Sequence, residues 1–286
     1  VQRQPDTRIH CVLNDGRVAI LTYEPQEEVL AWSTWVSDTG VGSQVERAMV
    51  LPGTEEDQVY YHVQRTINGE KKRFLEKWAT ETESTGDTGL SFIADCSASW
   101  TDTGATGTAF GHLVGTQVVA WGDDTGQTHT GRDLTPDDTG GTQQLLTVDT
   151  GGGISVSGSS KGVAGLPYDA KFMSAKMAYG AEAGTALTQY KRIGALGLIL
   201  SQTHNNGLFV GGDTGNPGAT LDPLPRMNKD DTGAVDPDRI YTEYDEMSFP
   251  INGEYDTDSR LYLKGKAPRP VTVLAAVPEV ETHDKI

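Results

Sequence analysis

Between residues 84 and 160 the chain carries 15 glycines and 15 threonines among 77 residues, with no lysine and no glutamate. No other feature limits the fold as much. Glycine costs a helix about 1 kcal/mol per residue relative to alanine, and the branched Cβ of threonine also disfavours helix. A stretch of this kind folds as short strands and turns. The flanking sequence points the same way, so the chain is expected to be all-β, with short antiparallel strands in sandwich, barrel or propeller-like blocks and little helix.

Arg8–Tyr23 places two apolar, β-branched runs on either side of Asn14-Asp15-Gly16, which predicts a hairpin. Glu28–Val36 alternates loosely and carries two tryptophans. Gln58–Arg65 reads as a strand, Ile67-Asn68-Gly69-Glu70 as a turn, and Arg73–Ala79 as the returning strand, so Arg65 and Glu76 are expected on neighbouring strands. An Asn-Gly turn needs positive φ, so Gly69→Val is expected to do more damage than Gly152→Val. Gly115–Trp121 predicts a strand ending in the acidic turn Gly122-Asp123-Asp124, and Gln144–Val148 with Gly153–Val156 predicts another hairpin. Gly165–Tyr168 starts an extended stretch, because Pro167 restricts the residue before it. Lys191–Gln202, Arg260–Leu263 and Val271–Val277 complete the strands, and Lys171–Ala183 is the best helix candidate. Composition shifts divide the chain into a meander block (1–83), a Gly/Thr-rich small β domain (84–164) and a C-terminal β block (165–286). Asp213–Asp238 is expected as a long surface loop.

Charge narrows the function. The net charge is -17, and the segment 84–160 alone holds nine aspartates against a single arginine. Such a chain is a poor general nucleic-acid binder, since that role needs cations to displace counterions. No apolar run reaches the 18 or so residues of a membrane-spanning helix. The opening at Val1 shows no secretory pattern, and with no initiator Met the chain is expected to be a piece of something longer. Cys11 and Cys96 cannot build a disulfide framework or a cysteine-only metal site.

Asp-Thr-Gly occurs eight times, starting at Asp38, Asp87, Asp102, Asp124, Asp138, Asp149, Asp213 and Asp231. The tripeptide is the signature of aspartic proteases, in which two such loops bring two carboxylates together. Leu145–Gly151, with apolar residues before the Asp, is the strongest candidate of this kind, but eight copies, mostly in polar loops, fit turn tips better, because Asp and Gly are turn formers. The acidic pairs Asp123-Asp124 and Asp230-Asp231 lack the spacing of an EF-hand loop. The six histidines show no metal-binding spacing, and no nucleophile elbow or phosphate loop is present. Trp32, Trp35, Tyr60, Tyr61, Arg65 and Trp78 interleave aromatic and basic groups, which fits cross-strand packing better than base stacking. These residues offer no catalytic constellation, no metal site and no cofactor site.

Several blocks resemble bacteriophage tail nozzle (tail tubular) proteins of short-tailed phages. Asp15–Trp35 is similar to a family strand pair followed by Glu-x-x-x-Ala-Trp. Val59–Glu76 continues with a strand, an Asn-Gly turn and an Arg-x-x-Glu return strand. His112–Asp124, Gly165–Tyr168 and Asp256–Glu281 follow in the family's order. The main departure is Gly-Asp-Asp-Thr-Gly at 122–126, where the family has a simpler turn. The resemblance implies a structural virion protein: a β-rich subunit of a tail ring, commonly six-fold, through which DNA is retained and ejected. Implied partners are other copies of the chain, adaptor and portal-side proteins, and tail fibre, spike or needle proteins. DNA would pass without tight binding. On this reading Asp123, Asp124, Asp230 and Asp231 are candidates for a repelling, lumen-facing surface. A second reading is a spike-like protein that binds or degrades glycans, although no β-helix repeat is visible.

Overall fold

The computed structural model describes residues 1–36, 43–84, 90–101, 106–107, 109–124, 131–135, 143–178, 188–212, 221–224, 238, 240–251 and 253–283. In the first third the strands are β1 (Arg8–Val12), β2 (Val18–Glu24), β3 (Val29–Trp35), β4 (Gln44–Leu51), β5 (Gln58–Ile67) and β6 (Glu70–Lys77). They form two three-stranded sheets, β1-β2-β3 and β4-β5-β6. The middle contributes β7 (Asp95–Thr101), β8 (Thr106–Gly107), β9 (Gln117–Gly122), β10 (Arg132–Asp133), β11 (Leu146–Thr147), β12 (Ile154–Ser155) and β13 (Lys161–Leu166). The last third adds β14 (Asp169–Met173), β15 (Tyr190–His204), β16 (Leu208–Gly211), β17 (Asp222–Pro223), β18 (Ile240–Pro250), β19 (Tyr262–Lys266) and β20 (Thr272–His283). Every ladder among the described strands is antiparallel. The helices there are single 3-10 turns, so the chain is all-β.

The alternation read from the sequence sets these strands. In β5, QVYYHVQRTI, every second residue from Val59 to Ile67 is buried. Asn68 and Gly69 both adopt positive φ, as a tight hairpin turn requires. Gly16 does the same in the first hairpin, where the Asp15 carboxylate accepts the Arg17 backbone N–H. Val18, Ile20, Val45, Val59, Tyr61 and Val63 then share one core between the first two sheets. A second core gathers Trp100, Phe110, Leu113, Val118, Ala120 and Ile154 in the glycine-rich middle. A third surrounds the inner face of β15, with Ile193, Leu196, Leu198 and Leu200.

Glycine has a packing role in the middle sheet. A Cβ on Gly162 of β13 would lie 2.2 Å from the Trp100 ring and 2.4 Å from the Trp121 carbonyl. The indole of Trp100 therefore covers the backbone directly.

Three expectations are corrected. Lys171–Ala183 forms no helix in its described part: Lys171–Met173 belong to β14, paired with β19, and 179–187 lie outside the described residues. The edge of β19 offers this segment a ladder that its mixed sequence cannot match with helical packing. The segments 144–148 and 153–156 do not pair with each other. β11 joins β9 and β12 joins β8, because Val148 and Ile154 both turn into the middle core. Finally, Gly152 is the less replaceable of the two compared glycines. Both have positive φ, but a Cβ on Gly69 meets nothing within 4 Å, whereas one on Gly152 would lie 2.7 Å from the Gly111 nitrogen.

Candidate functional site

The inward alternation of β5 carries an arginine into the core. The Arg65 side chain is 1% exposed. A buried guanidinium without partners would cost several kcal/mol, and here two elements supply carboxylates. Glu76, on the inward side of β6, takes it in a fork: Nε donates to Oε1 at 2.6 Å and Nη2 to Oε2 at 2.7 Å. Asp95, the first residue of β7, places Oδ2 3.6 Å from Nη2. The Trp35 ring centroid lies 6.0 Å from Cζ.

Glu76 and Asp95 stand in the wall of a cleft of about 1360 Å³, which Trp35, Trp78, Phe92 and Tyr168 also line. Burial pushes Asp95 up to about 6, with the Arg65 charge pulling down and Glu76 pushing up. Burial also raises the Cys96 thiol, with Glu76 adding to the effect, so the thiol is a poor nucleophile. Tyr168 is raised to about 12 by burial and then by the Asp95 charge. Burial weakens the guanidinium's hold on its proton, but Glu76 and Asp95 outweigh this and Arg65 ends up raised. His112 meets the Cys96 carbonyl at 2.9 Å through Nε2.

Chemically the cluster is a clamp. Both Glu76 oxygens are engaged by Arg65, and Asp95 extends the tie from the β5–β6 hairpin to the middle sheet. The sequence led to Arg65 and Glu76 but missed Asp95. Its one signal was an aspartate beside a cysteine at the head of a β-rich run, Asp95–Thr101.

A second buried ion pair joins the middle to the C-terminal third. Arg269 Nε donates to Asp133 Oδ2 at 2.7 Å, with both side chains 2% exposed. The other Asp133 oxygen accepts from the Thr135 N–H and hydroxyl. Gln143 Nε2 donates to the Ala267 carbonyl at 2.9 Å, and Trp121 packs edge-on against His204.

The four acidic candidates do not come together as a described surface. Asp123 is held inside a turn: its carboxylate accepts from both the N–H and hydroxyl of Ser160, the Ser159 hydroxyl and the Lys161 N–H. Burial opposes its charge, but these donors prevail and lower it to about 2. The Asp124 side chain is 6% exposed and lies 3.6 Å from Arg132. Asp230 and Asp231 lie outside the described residues, as does most of Asp213–Asp238. Of the Asp-Thr-Gly copies, Asp149-Thr150-Gly151 alone is wholly described. There Asp149 accepts the N–H groups of Gly151 and Gly153, as in a turn. Of the six interleaved residues, Tyr61 and Arg65 are core residues and Trp35 and Trp78 pack tilted or edge-on against Tyr61, as the packing reading expects, whereas Trp32 is exposed.

No helix among the described residues is long and apolar enough to cross a membrane. Those residues also hold no group of three or more His, Cys, Asp or Glu side chains placed to bind a metal. The chain matches no protein-family model, and no curated protein matches it in sequence.

Proposed function

We propose that this chain is a structural subunit of a bacteriophage tail, a nozzle-type ring component in the conduit for DNA. The observation that carries this reading is a sheet that is apolar on both faces. In β1-β2-β3 one face enters the first core through Val12, Val18, Ile20 and Trp35. The register aligns Ile9, Leu21 and Trp32 across the other face, with Tyr23 beside Leu30. Leu30 is 67% and Trp32 63% exposed, and no described residue covers them. An antiparallel sheet normally turns polar side chains to water, and an apolar outer face marks a contact surface. The ordered blocks similar to nozzle proteins supply the kind of assembly.

On this reading the chain sits in the virion tail, meets adaptor, fibre or needle proteins, and lets DNA pass without gripping it. Asp123 and Asp124 are engaged within the fold, so repulsion of DNA would fall to other carboxylates, Asp230 and Asp231 among the candidates. Sedimentation of the purified chain together with negative-stain images should reveal rings, commonly six-fold. A monomer at high concentration, with no ring in particles, would overturn the proposal.

One observation favours the glycan-binding alternative: Trp35, Trp78 and Tyr168 share a cleft with Glu76 and Asp95. Quenching of tryptophan fluorescence by host-surface oligosaccharide, lost in Trp78→Ala, would support it.

A further inference from the structure

The outer face of the β4-β5-β6 sheet differs in charge from the chain as a whole. Register aligns Met49 with Tyr60 and Lys77, and Arg47 with His62 and Leu75. Leu75 is 60% exposed, and Met49 and Leu51 are also exposed. Around these apolar groups stand Arg47, Lys71, Arg73 and Lys77 against Glu46, which gives an excess of cations in a chain of net charge -17. Some of this charge is already paired: Arg73 meets Glu46 at 3.0 Å and Lys77 meets Glu83 at 3.4 Å.

The outer face of β15 and β20 has the opposite character. Ile199, Leu274 and Val277 are exposed there, the last two at 64% and 65%. Next along β20 come Glu279 and Glu281, of which Glu281 is met by Arg192 of β15 at 2.9 Å. Pro278 deprives this edge strand of a donor, which favours contact through the face over strand addition.

One chain thus presents an apolar strip bordered by cations and a second apolar strip bordered by carboxylates. We infer that the outer face of β4-β5-β6 in one copy seats the outer face of β15 and β20 in the next. This rests on the ring reading and assigns its surfaces. A contact between two different faces repeats head to tail and can close into a ring, whereas a two-fold contact would join a face to itself.

The test is a chain carrying Leu75→Cys and Val277→Cys, oxidised in air with copper phenanthroline. The double variant should give a ladder of cross-linked copies, and each single variant should give none. Lys71→Glu with Arg73→Glu should weaken association about tenfold, and adding Glu279→Lys with Glu281→Lys should restore it. Intact rings with no ladder overturn the assigned contact and leave the ring reading standing. A wild-type chain that stays monomeric and forms no ring in particles removes both. Cross-linked dimers from a single variant indicate a two-fold contact and overturn the inference. So does duplex DNA retardation that is lost in Lys71→Glu/Arg73→Glu while association is unchanged, since the basic face would then serve nucleic acid.

Discussion

Replacing Glu76 with glutamine keeps the shape of the Arg65 clamp and removes its main countercharge. The guanidinium stays buried, with Asp95 at 3.6 Å as the remaining carboxylate. Breaking a buried ion pair from one side costs about 3–5 kcal/mol. The lower end applies, because Glu76 is itself 16% exposed and Asp95 compensates in part. About 3 kcal/mol corresponds to a fall in Tm of about 6–12 °C for a chain of this size. Thermal unfolding followed by near-ultraviolet circular dichroism reads this directly. Arg73→Ala is the control, because the Arg73–Glu46 pair is exposed and such pairs contribute about 1 kcal/mol or less. The double change Arg65→Met/Glu76→Leu, made together with Asp95→Asn, should recover much of the loss, since apolar and neutral groups of similar volume then leave no buried charge behind. Equal Tm falls for Glu76→Gln and Arg73→Ala would refute the argument. So would a triple variant less stable than Glu76→Gln alone.

Asp95 is raised to about 6, so the folded chain binds its proton more readily than the unfolded one, and its contribution to stability falls as pH rises from about 4 through 6. Over that window the change is at most about 3 kcal/mol, and Asp95→Asn should flatten it in denaturant titrations at successive pH values. Asp123, lowered to about 2, contributes stability above pH 4 that is lost as pH falls toward 2; at pH 7 Asp123→Ala should cost about 1.5–3 kcal/mol through its charged hydrogen bonds, measured by chemical unfolding. Gly152→Val should lower Tm more than Gly69→Val, because only the former drives a side chain into backbone. Gly162→Ala should destabilise by about 1–3 kcal/mol through overpacking under Trp100, and a neutral result in calorimetry would contradict that packing.

Local pattern explains what the sequence made visible. The alternation in β5 and the Asn68-Gly69 turn act over a few residues, so the β5–β6 hairpin and the Arg65–Glu76 neighbourhood could be read directly. Where each strand finds its second partner depends on the whole chain. Leu146–Thr147 and Ile154–Ser155 have strand composition, and the Asp149–Gly153 turn closes between them, but β9 and β8 take them as ladder partners. Lys171–Met173 became a strand for the same reason: an available edge outweighed weak helical propensity. Asp123 looked like exposed charge because its partners, Ser159 to Lys161, lie more than thirty residues away. Asp95, Asp133 and Arg269 were invisible as a class, since an aspartate destined for a buried pair has the same local sequence signature as one in a loop.

The Asp133–Arg269 pair also sets a clock. The two residues are separated by 136 positions. At translation speeds of about 5–20 residues per second, about 7–27 s pass between the synthesis of one and the other. Throughout that interval the carboxylate has no guanidinium to enter the interior with, so burying it early would be costly. The glycine-rich middle is therefore expected to wait, partly hydrated, while the first two sheets settle and the ribosome finishes. Truncation just before Arg269 should leave nascent chains whose first third resists protease and whose middle does not.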